Sequence, residues 1–242
     1  MLNLDEEKKI LELKSICKEL KIQAPMDIFI TMKVEKQKKV LFEDVQRGHS
    51  WTRNYYNTMF SAATTCRSCG TNNFGAGYMT QKYKDNSIFY QTDYHAGPRP
   101  GYFSGEYGMF TSNATENYGI VVGTGTGAFS SNDYILNTLV VHGNSAGKLS
   151  YQPMAAPAAP VYTSGTKTWT AAHSRIFNNN SGGAIVVGET GLIVNTSCFY
   201  SWNNVLYPLL FERNVLSPTV SVGDGAQLTV TYTFSSDFSS VD

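Results

Sequence analysis

The sequence predicts a mainly β fold: an antiparallel β-sandwich or jelly-roll body with an N-terminal helix, a hairpin and a second short helix. Three observations support this. The 242 residues include 21 Gly, 15 Tyr and 13 Phe, a composition typical of sheets with many turns. Only 16 % of the residues are charged, and the formal charges cancel. Short apolar runs separated by turn residues fill the second half of the chain.

The charged residues indicate how the chain is organised. Residues 1–50 hold ten Lys or Arg and nine Asp or Glu, whereas the other 192 residues hold nine and ten. We therefore predict an N-terminal attachment region over residues 1–65, a Gly/Tyr/Asn-rich loop region over residues 66–117, and the β-sandwich over residues 118–242. With neither a basic excess nor a basic stripe, we expect no nucleic-acid partner.

The first predicted element is a helix over residues 4–22, ended by Pro25. Its apolar positions follow the three-four spacing of one helix face: Ile10, Leu13, Ile16, Cys17 and Leu20. This narrow stripe with charged flanks fits a helix that packs on its own domain, or one that docks onto another subunit.

A hairpin and a second helix are predicted next. Residues 27–34 and 39–45 alternate around EKQKK, which predicts two strands with a lysine-rich tip. Residues 49–64 then have the spacing of an amphipathic helix with a buried aromatic face. The residues expected on that face are Trp51, Tyr55, Tyr56, Met59, Phe60 and Ala62.

From Tyr118 onward the pattern predicts an antiparallel body. The predicted strands are 118–122, 133–141, 148–152, 167–177, 184–194, 197–201, 204–212, 218–222 and 226–234. HGNSAG, NNNSGG and VGDGAQ supply turns between them. In QLTVTYTF, Leu228, Val230 and Tyr232 fall on one face and threonines on the other, so the last strand should be buried on one side.

The loop region offers a candidate recognition surface. It shows little periodicity, and we expect strands only at residues 77–83 and 87–91. Tyrosines on a glycine framework suit recognition, because they supply rigid amphipathic area at a low entropic cost. The possible interaction surface comprises Tyr78, Tyr90, Tyr94, Tyr102 and Tyr107, with Asn72, Asn73 and Asp93 as hydrogen-bonding partners.

Cys66 and Cys69 form the pair CRSCG. They are two thiols on a tight turn or half of a zinc site completed by distant residues or another subunit. A thioredoxin-like redox pair is disfavoured, because no βαβ pattern surrounds them. No second CxxC and no HxxxH pair follows. We therefore expect no resident cofactor, with zinc at this pair as the alternative.

The stretch GIVVGTGTGAF, residues 119–129, raises the possibility of a phosphate-binding loop. A dinucleotide fingerprint needs G-x-G-x-x-G followed by a helix, whereas this loop has G-x-G-x-G followed by a β-like segment. HGNSAGKLS likewise lacks the spacing and the hydroxyl of a P-loop. We interpret the first stretch as a sharp corner where another backbone, such as that of a neighbouring subunit, comes close, and the second as a hairpin turn.

Catalytic motifs do not emerge from the remaining residues. The four histidines have no Ser or Cys setting of a nucleophilic enzyme, and no GxSxG or HExxH is present. A carboxylate pair for glycoside cleavage could come only from isolated acids such as Glu106, Glu116, Glu189 and Glu212, and hydrogen-bonding roles suit these better. The sequence therefore predicts a protein that binds or assembles and is not an enzyme.

Three segments together resemble structural proteins of tailed bacteriophages: RGHSWTRNYYNTMFS, the region from YGIVVGTGTGAF to KLSYQ, and SRIFNNNSGG with VLSPTVSVGDGAQLTVTYTF. The resemblance implies a virion component made in the host cytoplasm: a capsid-decoration, minor capsid, collar or tail accessory protein present in many copies. Its partners would be its own copies and other virion proteins. The alternative is a tail module that binds a receptor or host-surface glycan.

No signal peptide is expected, because the N-terminus has no apolar segment of signal-peptide length. No membrane span is expected either, since no apolar run approaches ~18 residues.

Overall fold

A computed structural model gives the fold of the chain. It describes residues 4–22, 26–48, 51–64, 80–84, 86–90, 111, 114–154, 158–200 and 203–239. The elements in chain order are α1 Leu4–Glu19, β1 Asp27–Lys36, β2 Lys39–Arg47, α2 Arg53–Thr64, β3 Thr80–Lys82, β4 Ile88–Tyr90, β5 Gly119–Gly123, β6 Ser150–Tyr151, β7 Val161–Thr163, β8 Thr168–Asn178, β9 Ile185–Tyr200, β10 Asn203–Val222 and β11 Gln227–Asp237. The predicted mainly β fold with two helices is confirmed.

The described strands form antiparallel sheets. The largest has the order β2-β1-β11-β8-β6, with β7 also pairing with β8. A second sheet has the order β10-β9-β5, and β3 pairs with β4 in a small hairpin. Strand β1 pairs with β11 from Asp27–Ser235 to Glu35–Gln227, so the N-terminal hairpin shares a sheet with the end of the chain.

The apolar faces of the two larger sheets enclose one hydrophobic core, the arrangement of a β-sandwich. The alternation predicted for the last strand is confirmed, since Leu228, Val230 and Tyr232 are fully buried. On β1, Ile30 and Met32 are buried in the same way. Side chains two residues apart share a strand face, so one buried residue in two is enough to build this core.

Several predicted boundaries were wrong. The predicted strands 184–194 and 197–201 are one continuous strand, β9, and 204–212 and 218–222 are one strand, β10, with two shifts in its pairing register. The predicted strand 133–141 is irregular, with a turn at residues 137–138 and Leu139 in a single bridge to Gly123. The backbone amides of residues 137 and 138 donate to a carboxylate, so they cannot form a strand ladder there.

Both helices form close to where expected, and the face predicted for α2 is right in part, because Trp51 lies in the core and Tyr55 packs against it. Tyr56 is 51 % exposed and Met59 40 % exposed, whereas the polar side chains of Asn54, Asn57 and Thr58 are buried. Burial of these groups is possible because hydrogen bonds satisfy them. The amide of Asn54 pairs with both the N–H and the C=O of Lys82, which docks the small hairpin onto the helix.

Candidate functional site

Arg213 and Glu189 form a buried ion pair on the face of the β10-β9-β5 sheet that carries residues 124–138. Neither side chain has exposed surface, and Arg213 Nε donates to Glu189 Oε2 over 2.6 Å. The guanidinium also donates to the Asp133 carboxylate and to the carbonyl oxygens of Gly127 and Ala128. Because a buried charge is tolerated only when it is paired and hydrogen-bonded, this arrangement ties the loop to the sheet.

The glycine-rich stretch closes around the same carboxylate. Glu189 accepts the backbone amides of Asn137 at 3.1 Å and Thr138 at 2.8 Å. A Cβ atom at Gly125 would lie 2.5 Å from Glu189 Oε1, and one at Gly123 would lie 2.6 Å from it. The backbone therefore approaches groups of the same chain, which accounts for the glycines at these two positions, and the approach of a neighbouring subunit stays a prediction.

Arg175 anchors a second loop from the opposite sheet. Arg175 is 1 % exposed. The central carbon of its guanidinium, Cζ, lies over the Tyr151 ring, 4.8 Å from the ring centre. Its nitrogens donate to the carbonyl oxygens of Thr115, Tyr118, Ile120 and Gln152. Burial lowers the pKa of this guanidinium to about 10, although it remains cationic at neutral pH. Arg175 therefore holds the segment that leads into β5, residues 115–120, against strand β8.

Glu212, Tyr232 and Thr190 link the two sheets through the core. The Tyr232 hydroxyl donates to Glu212 Oε2 at 2.7 Å and lies 2.9 Å from Thr190 Oγ1. Burial raises the pKa of Glu212 to about 8, partly offset by the tyrosine hydrogen bond and by the charge of Arg213. The carboxyl is therefore mostly protonated at neutral pH, because burying an ionised group at this position would be costly.

These two acids do not form a carboxylate pair for glycoside cleavage. Glu189 meets the loop on one face of the sheet, whereas Glu212 meets Tyr232 on the other. Each is fully buried, so neither presents its carboxyl to a dissolved substrate. In the described part of the chain, no group of three or more His, Cys, Asp or Glu side chains is placed to hold a metal ion.

The surface of α1 carries an apolar stripe. Leu13, Ile16 and Leu20, here called the α1 stripe, are 44 %, 51 % and 62 % exposed, whereas Cys17 is 4 % exposed. The helix is also tied to the body by an ion pair between Lys14 and Asp27. The stripe identified in the sequence is thus divided, with one side against the protein and the other open to solvent.

The predicted interaction residues fall mostly beyond the described part of the chain. Tyr90 ends strand β4, and its backbone pairs with Thr80. Outside the described residues lie Cys66, Cys69, Asn72, Asn73, Tyr78, Asp93, Tyr94, Tyr102 and Tyr107. The tyrosine surface and the zinc alternative therefore stay predictions.

Sequence reasoning missed the anchoring roles of Arg175 and Arg213. The available signal was a charged residue inside an otherwise apolar strand, as in HSRIF and LLFERNV. Such residues are rarely buried unless they are paired, so their presence in a core strand indicates a specific partner. The identity of the partner was not readable, because Glu189 lies 24 residues before Arg213 and the carbonyl groups carry no sequence signal.

No family model, curated protein or solved structure matches the chain. Among the residues that the structure describes, neither helix combines the length and the apolar character needed to cross a membrane. Because no known protein matches, the interaction surfaces of this chain are interpreted from the chemistry of their own residues.

Proposed function

We propose that this protein is a non-enzymatic structural component of a tailed-phage virion, present in several copies, and that α1 docks it onto a neighbouring virion protein or another copy. The α1 stripe is the observation that carries the proposal. Three aliphatic side chains on one helix face match the way in which amphipathic helices enter apolar grooves. The resemblance of the sequence segments to phage structural proteins supplies the biological setting.

The rest of the molecule suits a scaffold that is used in many copies. Buried ion pairs and carbonyl-bound arginines fix two long loops to the sheets. A rigid body lets a modest docking contact be repeated without reordering the protein each time, and symmetric assembly multiplies such contacts. Glu189 and Glu212 lie on opposite faces of their sheet, so these two acids do not form the carboxylate pair that a glycoside hydrolase would need.

The test is incorporation into particles. A phage that lacks this gene would be complemented with the wild-type chain, with a chain lacking residues 1–24, or with a Leu13→Ser/Ile16→Ser/Leu20→Ser variant. Purified particles would then be assayed for the protein by immunoblot. Both altered chains should be lost from particles. The triple serine variant should remain folded because the substituted side chains are exposed, and the truncated chain should remain folded because the core cluster of the sandwich begins at Ile28.

A control lies on the same helix, away from the α1 stripe. Lys8 and Ser15 are exposed and polar, so Lys8→Ser and Ser15→Ala should leave incorporation unchanged. Wild-type levels of the triple serine variant in particles would refute α1 as the docking element. Circular dichroism of each purified variant separates lost docking from lost folding.

A further inference from the structure

The hairpin formed by β7 and β8 carries two exposed aromatic rings. Tyr162 and Trp169 are directly opposite each other in the strand pair. Their ring centroids are 5.1 Å apart and their planes are tilted by 37°. Tyr162 is 46 % exposed and Trp169 45 %, and the neighbouring Val161 is 59 % exposed. The hairpin thus presents a small aromatic surface to solvent.

The position of Trp169 in its strand shows that the ring is not a core residue. Residues two apart share a strand face, so Trp169 belongs to the same row as His173 and Arg175. Along that row the exposure rises from 1 % at Arg175 to 7 % at His173 and 45 % at Trp169. The row has left the core by this point, and a large ring there stabilises the sandwich much less than a buried one would.

We propose that these two rings, the Tyr162–Trp169 platform, bind a neutral saccharide. One face of a hexose ring consists of C–H groups, which stack on aromatic faces, while its hydroxyl groups stay in water or form hydrogen bonds. With centroids 5.1 Å apart and planes tilted by 37°, the two rings pack partly on each other, so a hexose would stack on the open face of one ring and contact the edge of the other. In the adjoining turn, the hydroxyl groups of Thr166 and Thr168 donate to the carbonyl oxygens of Thr163 and Thr166.

Charge favours a neutral ligand at this place. Residues 161–170, VYTSGTKTWT, contain one charged side chain, Lys167. Binding of a nucleic acid draws most of its affinity from several cations against the phosphates, and one lysine does not supply them. A strongly anionic polysaccharide is disfavoured for the same reason.

Area favours a small ligand over a second protein. Each half-exposed ring offers roughly 100 Å², so the platform lies well below the about 800 Å² per partner of a stable protein interface. A single sugar unit or a short oligosaccharide matches this size.

This inference is independent of the proposed docking role of α1. The platform lies on the β7–β8 hairpin, and its loss should leave incorporation into particles intact. Conversely, a chain that fails to enter particles can still bind sugar. It also differs from the tyrosine surface predicted between residues 72 and 107, since it uses a different segment of the chain.

The experiment measures sugar binding by the purified full-length protein. Maltohexaose, cellohexaose and chitohexaose would be titrated separately, with tryptophan fluorescence and calorimetry as readouts. We expect saturable binding of at least one of them. Trp169→Ala should weaken that binding by about tenfold or more, and Trp169→Phe, which keeps an aromatic face, by much less. Val186→Ala should have no effect, because Val186 is exposed to a similar degree, 49 %, on the other sheet.

Three outcomes would overturn the proposal. One is the lack of saturable binding of all three sugars to the folded wild-type protein. The second is unchanged affinity in a Trp169→Ala variant whose circular dichroism is that of the wild type. The third is a change of oligomeric state in that variant by light scattering, which would assign the rings to contacts between copies. If Trp169→Ala fails to fold, Tyr162→Ala takes its place, with Tyr162→Phe as its matched control.

Discussion

Glu212→Gln should remove a loss of stability that the wild-type chain undergoes as the pH rises from about 4.5 to about 8. Burial raises the pKa of this carboxyl, so between these two pH values the folded chain keeps a proton that the unfolded chain releases. The stabilising contribution is complete below about 4.5 and is lost as the pH passes through about 8. Glutamine has the same shape and does not titrate.

The pKa values set the size of the effect. Each pH unit between the unfolded value of 4.5 and the folded value of about 8 lowers the free energy of unfolding by about 1.4 kcal/mol. Over the whole interval the loss is about 5 kcal/mol. This is a large share of the 5–15 kcal/mol by which domains are usually stable, so the effect should be visible in any equilibrium unfolding experiment.

Urea unfolding at pH 5, 6, 7, 8 and 9 provides the assay, with far-UV circular dichroism as the signal. The measured quantity is the free energy of unfolding of Glu212→Gln minus that of the wild type at each pH. Taking the difference cancels the titration of shared groups such as His173, whose pKa is lowered by burial and which therefore destabilises the fold at acidic pH.

The difference should rise in favour of the glutamine variant up to about pH 8 and then stay level. A constant offset between the two proteins is compatible with this reasoning, because the amide also changes the hydrogen bond to Tyr232. Curves that run parallel from pH 5 to pH 9 would refute it, since they would mean that the carboxyl ionises in the core without cost.

Three further predictions concern the anchored loops and the small hairpin. Arg213→Met should lower the free energy of unfolding by about 3–5 kcal/mol, because it leaves the buried Glu189 carboxylate without its cation. Adding Glu189→Gln should restore part of this stability. Urea unfolding that shows no recovery in the double variant would argue against the ion pair. Gly125→Val should destabilise by about 3 kcal/mol or more, because its side chain would overlap Glu189; an unchanged melting temperature would contradict this. Asn54→Ala should speed amide exchange at Lys82 by about tenfold, and equal protection in both proteins would rule out the proposed anchor.

The strands with clean alternation were predictable from the sequence. In β11 every second residue is apolar, and in β1 Ile28, Ile30, Met32 and Val34 follow the same rule. A strand with one face in the core and one outside imposes this period on the sequence, so the period can be read back. Turns were predictable for a similar reason, because Gly143 and Gly147 adopt positive φ in the turn predicted from HGNSAG.

Elements whose partners are distant groups were not predictable. Part of the buried face of α2 is polar because Asn54 pairs with the backbone of Lys82, and no local sequence pattern indicates that partner. Likewise, residues 135–138, ILNT, have the composition of a strand, but the backbone amides of Asn137 and Thr138 donate to the Glu189 carboxylate. Tertiary hydrogen bonds override local propensity at such places.

The candidate docking surface was predictable in part for the same reason. Spacing in the sequence placed Leu13, Ile16, Cys17 and Leu20 on one helix face, but an apolar stripe does not say whether its own domain covers it. The structure answers this by burying Cys17 and leaving the α1 stripe open. Exposure is a property of the whole fold, which periodicity in one segment does not contain.

The attachment of α1 suggests how docking and protection of a sheet edge go together. Asp27, at the start of β1, accepts hydrogen bonds from Lys14 of the helix and from Arg47 at the end of β2. The helix is therefore tied to the end of the larger sheet at which β1 begins and the edge strand β2 ends, and on β2 Leu41 and Val45 are 54 % and 58 % exposed. Exposed edge strands invite unspecific pairing unless something covers them. Under the proposed assembly role, a partner seated on the α1 stripe would dock at this end of the sheet, so that covering the Arg47 end of the edge strand would serve both attachment and solubility.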